Sequence, residues 1–196
     1  MTDQQGGDQE GGDPEGGDPE GGDPWDAPVA VLLWAPIRHP VGEPVPLRVE
    51  VCNLGERETC LVGVLDGSET GIRYPHYRPS VTLDGEIVAA PAAPEDPLVG
   101  PIRSADIRRV RPGEGFDPTD RAVAAGYMPL STFAAFRPVR PGTYRFRLEL
   151  DMTERRPEAW FGRIGQTTDE ELLGLLAAVP ALTVSTFVDV EVVEQM

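Results

Sequence analysis

Cysteine and histidine, which can together form a nucleophile and its general base, are rare in this sequence. There are two cysteines, Cys52 and Cys60, and two histidines, His39 and His76. A cysteine beside a histidine can act as a thiolate nucleophile when its surroundings are basic and partly exposed. No serine lies in the Gly-x-Ser-x-Gly turn that exposes the nucleophile of α/β-hydrolases. The sequence favours two free, unreactive strand thiols, and it leaves open a small hydrolase with a Cys/His or carboxylate site assembled from loops.

The possible metal ligands match no metal-binding pattern. The two histidines are 37 positions apart and the two cysteines eight apart, whereas structural zinc sites take their ligands from close pairs. Asp117 and Asp120 lie in one loop that lacks the dense Asp/Asn/Gly pattern of a calcium site, so we expect a turn there. No glycine-rich turn joins a strand to a helix, as a phosphate-binding loop requires. We therefore expect neither a metal nor a cofactor.

One segment concentrates the residue types that dominate protein interfaces. Residues 73–79 read RYPHYRP, and tyrosine and arginine bury large areas at interfaces at modest cost in entropy. Prolines in such a loop lower the entropy that is lost when the loop is immobilised on a partner. The predicted binding residues are Arg73, Tyr74, His76, Tyr77 and Arg78. The alternative is a proline-punctuated strand in which Tyr74 enters the core and the other side chains are ordinary surface.

The clearest strand follows the Arg-Pro-Gly turn at residues 140–142. Tyr144, Phe146, Leu148 and Leu150 alternate with charged residues, a period of two that is typical of a strand with one face in a core and one in water. We therefore expect these four side chains to be buried, and Arg145, Arg147 and Glu149 to be exposed.

Further strands are predicted along most of the chain. They span residues 29–34, 45–52, 60–65, 81–83, 86–89, 102–110, 131–137 and 182–194. Asp84-Gly85 predicts a hairpin turn, and the strand at 131–137 is expected to pair with the Tyr144 strand. A capping box at Thr168–Glu171 precedes a run of leucines, which predicts a short helix that ends near Ala178.

The order of three motifs resembles that of immunoglobulin-like and fibronectin-like domains. A strand ending in Asn53-x-Gly55 is followed by Arg-Pro-Gly-Glu at 111–114 and then by the Pro-Gly-Thr-Tyr strand. Over residues 43–152 this order is similar to that of small intracellular proteinase-inhibitor-like sandwiches. The resemblance implies an immunoglobulin-like antiparallel β-sandwich, in which a tyrosine at the start of such a strand often ties the corner between two strands. The helix predicted from the capping box has no counterpart in that pattern, so the expected fold is an all-β sandwich with one short helix added near the C-terminus. The resemblance implies no activity, because one fold hosts many functions.

The first 26 residues differ in composition from the rest. Residues 3–26 hold nine carboxylates and no basic side chain, in the repeat GGDQE-GGDPE-GGDPE-GGDPW. Glycine pairs, prolines and like charges cannot bury a core, so we expect a disordered acidic tail at 1–26 and one β-sandwich domain at 27–196. The rest of the chain has 24 acidic and 17 basic residues, all of the latter arginine. This balance disfavours nucleic acids and anionic membranes as partners.

These observations together predict a non-catalytic protein-binding or interaction module of a bacterial cytoplasm. The sequence shows no signal-peptide pattern and no apolar run of about 18 residues, and its use of arginine alone is typical of GC-rich genomes. The expected partner is another protein. Two alternatives remain: the hydrolase above, and an intracellular protease inhibitor acting through a projecting loop at 73–78 or 91–101.

Overall fold

A computed structural model describes residues 27–92, 98–121 and 126–194, and the tail predicted at 1–26 lies outside these ranges. The described chain is mostly β-structure with two short α-helices. Its strands are β1 (Val29–Trp34), β2 (Arg38–Pro40), β3 (Arg48–Asn53), β4 (Thr59–Val62), β5 (His76–Leu83), β6 (Glu86–Ala89), β7 (Ile107–Val110), β8 (Gly115–Phe116), β9 (Gly142–Asp151) and β10 (Thr183–Val193). Its helices are α1 (Ser131–Ala135) and α2 (Glu170–Ala177). Neither helix has the length that a membrane crossing requires.

The largest sheet has five strands in the order β2-β10-β9-β5-β6. Neighbouring strands in it are antiparallel, except that the short β2 joins β10 in parallel. Two smaller antiparallel sheets have the orders β1-β3-β8 and β4-β7. Each long strand of the main sheet therefore has one neighbour on either side and alternates its side chains between two faces.

β9 confirms the alternation that the sequence predicts. Its inward side chains are all buried: Tyr144, Phe146, Leu148 and Leu150. Arg145 and Arg147 point to the opposite face and are exposed. Glu149 is only half-buried rather than exposed, because its two carboxylate oxygens accept hydrogen bonds from Arg78 and Arg147.

One cluster of buried apolar side chains joins the three sheets and α2. It includes Val51 from β3, Leu61 from β4, Phe146 from β9 and Leu172 from α2. Burying each such side chain contributes roughly 1.5–3 kcal/mol to stability before the entropy of ordering is subtracted. The shared core therefore holds the strands of the main sheet in fixed positions.

The predicted strand at 131–137 is wrong, because this segment forms α1. The carboxylate of Glu69 accepts hydrogen bonds from the main-chain N–H groups of Ser131 and Thr132, and from the Ser131 hydroxyl. Those N–H groups have no partner within the helix, so an external carboxylate at this end stabilises it. Phe133 is buried on the inner side of α1, where its ring and that of Phe146 lie edge to face with their centroids 5.7 Å apart.

Other element boundaries differ from the predictions by a few residues. The segment predicted as a strand at 102–110 begins with a 3-10 turn at Ser104–Asp106, closed by the Asp106 carboxylate, which accepts from Arg103 N at 2.9 Å. The predicted C-terminal helix is present, but its cap is Asp169 rather than Thr168, because Asp169 Oδ1 accepts from Leu172 N at 2.8 Å. The hairpin at Asp84-Gly85 is confirmed, with φ of 54° and 84° at the two residues.

Candidate functional site

The segment predicted to bind a partner does not form a projecting loop. Its second half, from His76, is the start of β5. Tyr77 has no exposed surface, and its hydroxyl donates to the Val62 carbonyl at 2.7 Å. The core tyrosine is thus Tyr77 rather than Tyr74, since the register of β5 turns odd-numbered side chains inward. Arg73 is also buried, so neither of these two residues offers its side chain to a partner.

Arg73 joins two loops inside the protein. Its guanidinium donates to the carbonyls of Asp66 and Gly100, each at 2.8 Å, and pairs with the Asp66 carboxylate. The other carboxylate oxygen of Asp66 accepts from Gly100 N at 2.6 Å. Burial lowers the pKa of Arg73, while the nearby Asp66 opposes that shift. The predicted binding residue is therefore a structural contact between the loop before β5 and the loop before Ile102.

Tyr74, His76 and Trp160 form a row of rings at the start of β5. The Tyr74 and His76 rings are stacked with centroids 3.8 Å apart, and the centroid of Trp160 lies 5.8 Å from that of Tyr74. Trp160 is buried, and its Nε1–H donates to the Glu154 carbonyl at 3.1 Å. Tyr74 and His76 are half-buried. The row is therefore anchored in the core at Trp160 and reaches the surface at His76.

His76 lies between a cation and a carboxylate. Arg78 Nη2 is 3.1 Å from His76 Nδ1 and donates to Asp151 Oδ2 at 3.0 Å, while Nδ1 is 3.8 Å from that same oxygen. Loss of water lowers the pKa of His76, Arg78 lowers it further and Asp151 opposes both. Burial raises the pKa of Asp151, but hydrogen bonds from Thr153 and the charge of Arg78 outweigh it and leave that pKa lowered.

The two thiols do not suit nucleophilic catalysis. Both are free and buried. Burial and the charge of Glu50 raise the pKa of Cys52 to about 11, and burial raises the pKa of Cys60. A thiol with a raised pKa supplies almost no thiolate near neutral pH. The Cys/His alternative therefore lacks an activated nucleophile.

The candidate metal ligands Asp117 and His39 make hydrogen bonds to residues near them in the chain. Asp117 Oδ1 accepts from both the main-chain N–H and the hydroxyl of Thr119, at 2.8 and 2.6 Å, which is a turn as the sequence predicts. His39 Nε2 lies 3.2 Å from the Glu43 carbonyl. Across the described ranges, no group of three or more histidine, cysteine, aspartate or glutamate side chains is placed to hold a metal ion.

The outward side of the five-stranded sheet carries the most distinctive exposed group. We call it the arginine face, and its members are Arg78 on β5, Arg145 and Arg147 on β9, and Phe187 on β10. Phe187 lies directly across from Arg147, and this large apolar residue is 54% exposed. The Arg145 guanidinium stacks over this ring at 4.0 Å from the centroid.

The arginines of this face are held in place by carboxylates on the same strands. Arg145 pairs with Asp189 through two hydrogen bonds of 2.8 and 2.9 Å. Glu149 joins Arg78 and Arg147, accepting at 2.7 Å from the first and 3.1 Å from the second. Beside this bridge is an open cavity of about 400 Å³, lined by Arg78, Ser80, Arg147, Glu149, Glu69 and Pro91, among others. The face therefore combines ordered guanidinium groups, one exposed ring and a concave region.

The structure assigns the predicted binding residues to different environments. Arg78 belongs to the arginine face, His76 and Tyr74 border it at one end, and Arg73 and Tyr77 lie inside. The sequence analysis did not predict that Phe187 is exposed, although the alternation along β10 indicates it. The residues that face inward from β10 are Val184, Thr186, Val188 and Val190, so Phe187 is out of phase with the apolar positions.

Comparison of the chain with protein families, with curated proteins and with solved structures finds no match.

Proposed function

We propose that this chain is a non-catalytic protein-binding module of a bacterial cytoplasm, and that the arginine face is its contact surface. The observation that carries the proposal is the exposed Phe187 ring, held under Arg145 and across from Arg147 on the solvent side of the main sheet. Antiparallel sheets commonly expose one polar face to solvent. A half-exposed phenylalanine on such a face does not contribute to the core. Aromatic and arginine side chains are the types that concentrate binding energy.

The geometry keeps the entropic cost of binding on this face low. Strand residues have little backbone freedom to lose, and the guanidinium groups of Arg78 and Arg145 are already ordered by carboxylates. Ordering a long, free side chain at an interface costs about 0.5–1.5 kcal/mol, which these arginines have largely lost before binding. A partner that covers Phe187 with an apolar side chain and offers carbonyl or carboxylate acceptors to the arginines would match the face.

Part of the predicted binding segment belongs to the proposed surface. Arg78 lines the cavity of the arginine face, and His76 contacts Arg78 from the side. Tyr74 supports His76 by stacking and exposes only part of its own ring. We therefore place Arg78 in the contact surface and assign Tyr74 and His76 to its margin.

We further propose that the sheets form an immunoglobulin-like sandwich. The hydroxyl of Tyr144 donates to the Arg140 carbonyl at 2.9 Å, four residues upstream at the entry to β9, as in the tyrosine corner of such domains. Buried side chains of β3 and β9 belong to one core, which is consistent with two layers facing each other. The inhibitor alternative gains no support from residues 73–78, because that segment is part of the sheet and its adjoining loop.

Capture from the organism's own cytosol tests the proposal. The bait is the full chain, compared with the double variant Phe187→Ala/Arg147→Ala and with the matched control Leu173→Ala/Arg163→Ala, which removes an exposed apolar residue and an exposed arginine elsewhere. We expect a protein that the wild type and the control retain and the double variant loses, at melting temperatures that differ little, since surface substitutions change stability by about 0.5 kcal/mol or less. Equal retention by all three baits would refute the arginine face as the contact surface.

A further inference from the structure

A second concave site lies beside the β5–β6 edge of the main sheet and shares no lining residue with the cavity of the arginine face. It is a cavity of about 400 Å³ between the β5–β6 hairpin, the end of α1 and the turn before β9. Its lining is mostly apolar: Leu83, Val88, Ala135, Phe136, Val139 and Tyr144. Val139 is 85% exposed and Val88 is 44% exposed. This volume lies within the range of natural ligand sites, and exposed apolar side chains that cluster around a cavity are typical of interaction sites.

Two arginines make the rim of this cavity basic. Arg137 donates through Nη1 to the carbonyls of Ala134 and Phe136, at 2.9 and 3.0 Å, and among the described residues no carboxylate pairs with it. Arg140 is 3.5 Å from the Asp84 carboxylate, and both side chains are largely exposed, so this pair is weak. A basic rim over an apolar floor suits a ligand with an apolar group next to a carboxylate.

The strand beside the cavity, β6, lies at the edge of the main sheet. β6 is the last strand of the main sheet and pairs with β5 on one side, and the described part of the chain places no strand on its other side. An extended peptide can add to such an edge through main-chain hydrogen bonds and direct alternate side chains into adjacent pockets. Val88 of β6 lines the cavity, whereas its neighbour Ile87 does not and is 68% exposed.

From these three observations we propose that the β6 edge and its cavity bind an extended, acidic segment of a partner protein. The segment pairs with the outer edge of β6 and places one apolar side chain against Phe136 and Val139. An aspartate or glutamate next to that side chain meets the guanidinium of Arg137. This site is separate from the arginine face and does not depend on that proposal.

Selection of displayed peptides tests the inference on the full chain. The probe is a library of random peptides about nine residues long, long enough to cover a short strand and its flanks. Enriched peptides are synthesised with a fluorescent label and titrated with the wild type, with Arg137→Glu and with Ala135→Phe, which fills the cavity from an exposed helix position. Arg163→Glu and Ala181→Phe are matched controls at exposed positions outside the cavity.

We expect the enriched peptides to share an apolar residue next to aspartate or glutamate. Their affinity should fall by about tenfold or more with Arg137→Glu, fall at least as far with Ala135→Phe, and change by about twofold or less in the controls. Melting temperatures verify folding, and the exposed Arg137→Glu keeps the test valid if Ala135→Phe unfolds. Absence of enrichment, a basic consensus, or binding that both cavity variants retain would overturn the inference.

Discussion

Tyr74 lies against His76, with ring centroids 3.8 Å apart and planes inclined by 25°. The stacked ring removes water from one side of the imidazole, and Arg78 approaches Nδ1 to 3.1 Å. A proton on His76 would therefore be poorly hydrated and next to a second cation, and the charge of Asp151 opposes these two effects without outweighing them. The arrangement holds His76 in its neutral form.

This arrangement predicts a loss of stability in mild acid. Because the pKa of His76 in the folded chain is below its ordinary value of 6.5, the unfolded chain takes up this proton first as the pH falls. The contribution of neutral His76 is complete above pH 6.5 and is lost as the pH falls through the lowered folded pKa. Asp151, whose pKa is lowered from 3.8, contributes in the same direction only in stronger acid.

Urea unfolding between about pH 7.5 and pH 5 measures the effect. Wild type should lose stability across this range, and His76→Asn should lose less. Direct NMR titration of the His76 ring should give a pKa below 6.5. A ring that titrates above that value, or an equal slope in both proteins, would be inconsistent with the proposed environment.

Strand positions in this chain were predictable wherever the alternation was strong. In β9 and β10, inward-facing and outward-facing residues alternate over eight or more positions. A shift of register by one residue would turn the outward-facing charged side chains into the core, so contacts with other strands cannot change it. The hairpin between β5 and β6 was predictable from Asp84-Gly85 alone. The outward positions of Arg145 and Arg147 followed from the same register, and so half of the arginine face is implied by the sequence.

Contacts between distant residues decide the features that the sequence did not predict. α1 depends on a carboxylate from Glu69, 62 positions before Ser131, which no local pattern contains. Arg73 is buried because Asp66 and Gly100 surround its guanidinium, and local composition makes it look like a surface residue. The cavity beside β6 is formed by two segments, 83–88 and 135–144, that meet only in the folded chain.

Truncation of the inward face of β9 should destabilise the protein strongly. Leu148 has no exposed surface and lies in the shared core. Leu148→Ala is expected to cost about 2–5 kcal/mol, through lost burial and the cavity that remains. Chemical unfolding measures this cost, with the exposed Leu173→Ala as the matched control. A cost for Leu148→Ala no larger than that of the control would be evidence against the register of β9.

The Arg73–Asp66 contact predicts an asymmetric effect of substitution. Asp66→Ala leaves the buried guanidinium of Arg73 without its carboxylate, which should cost about 3 kcal/mol. Asp84→Ala removes the carboxylate of the exposed Arg140 pair and should cost at most about 0.5 kcal/mol. Urea unfolding of both variants tests the difference. Equal costs would mean that Arg73 contributes no more than a surface cation.

Thiol chemistry gives an independent check on the folded core. The pKa of Cys52 is raised to about 11, chiefly by burial and then by Glu50. Burial raises the pKa of Cys60 as well. At pH 8 the folded chain should react with a disulfide reagent much more slowly than the urea-unfolded chain, and the rate should increase toward pH 11. Rapid modification of either cysteine in the folded chain would contradict their placement.

Site-specific photocrosslinking tests the central claim, that the arginine face contacts a partner protein. A benzophenone amino acid at Ser185, which lies across from Glu149 on this face, is compared with the same group at the exposed Leu54 beyond the end of β3. We predict a discrete crosslinked product in cells from position 185, lost on adding Phe187→Ala/Arg147→Ala, and no such product from position 54. A product from position 54 alone, or one from position 185 that survives both substitutions, would contradict the account.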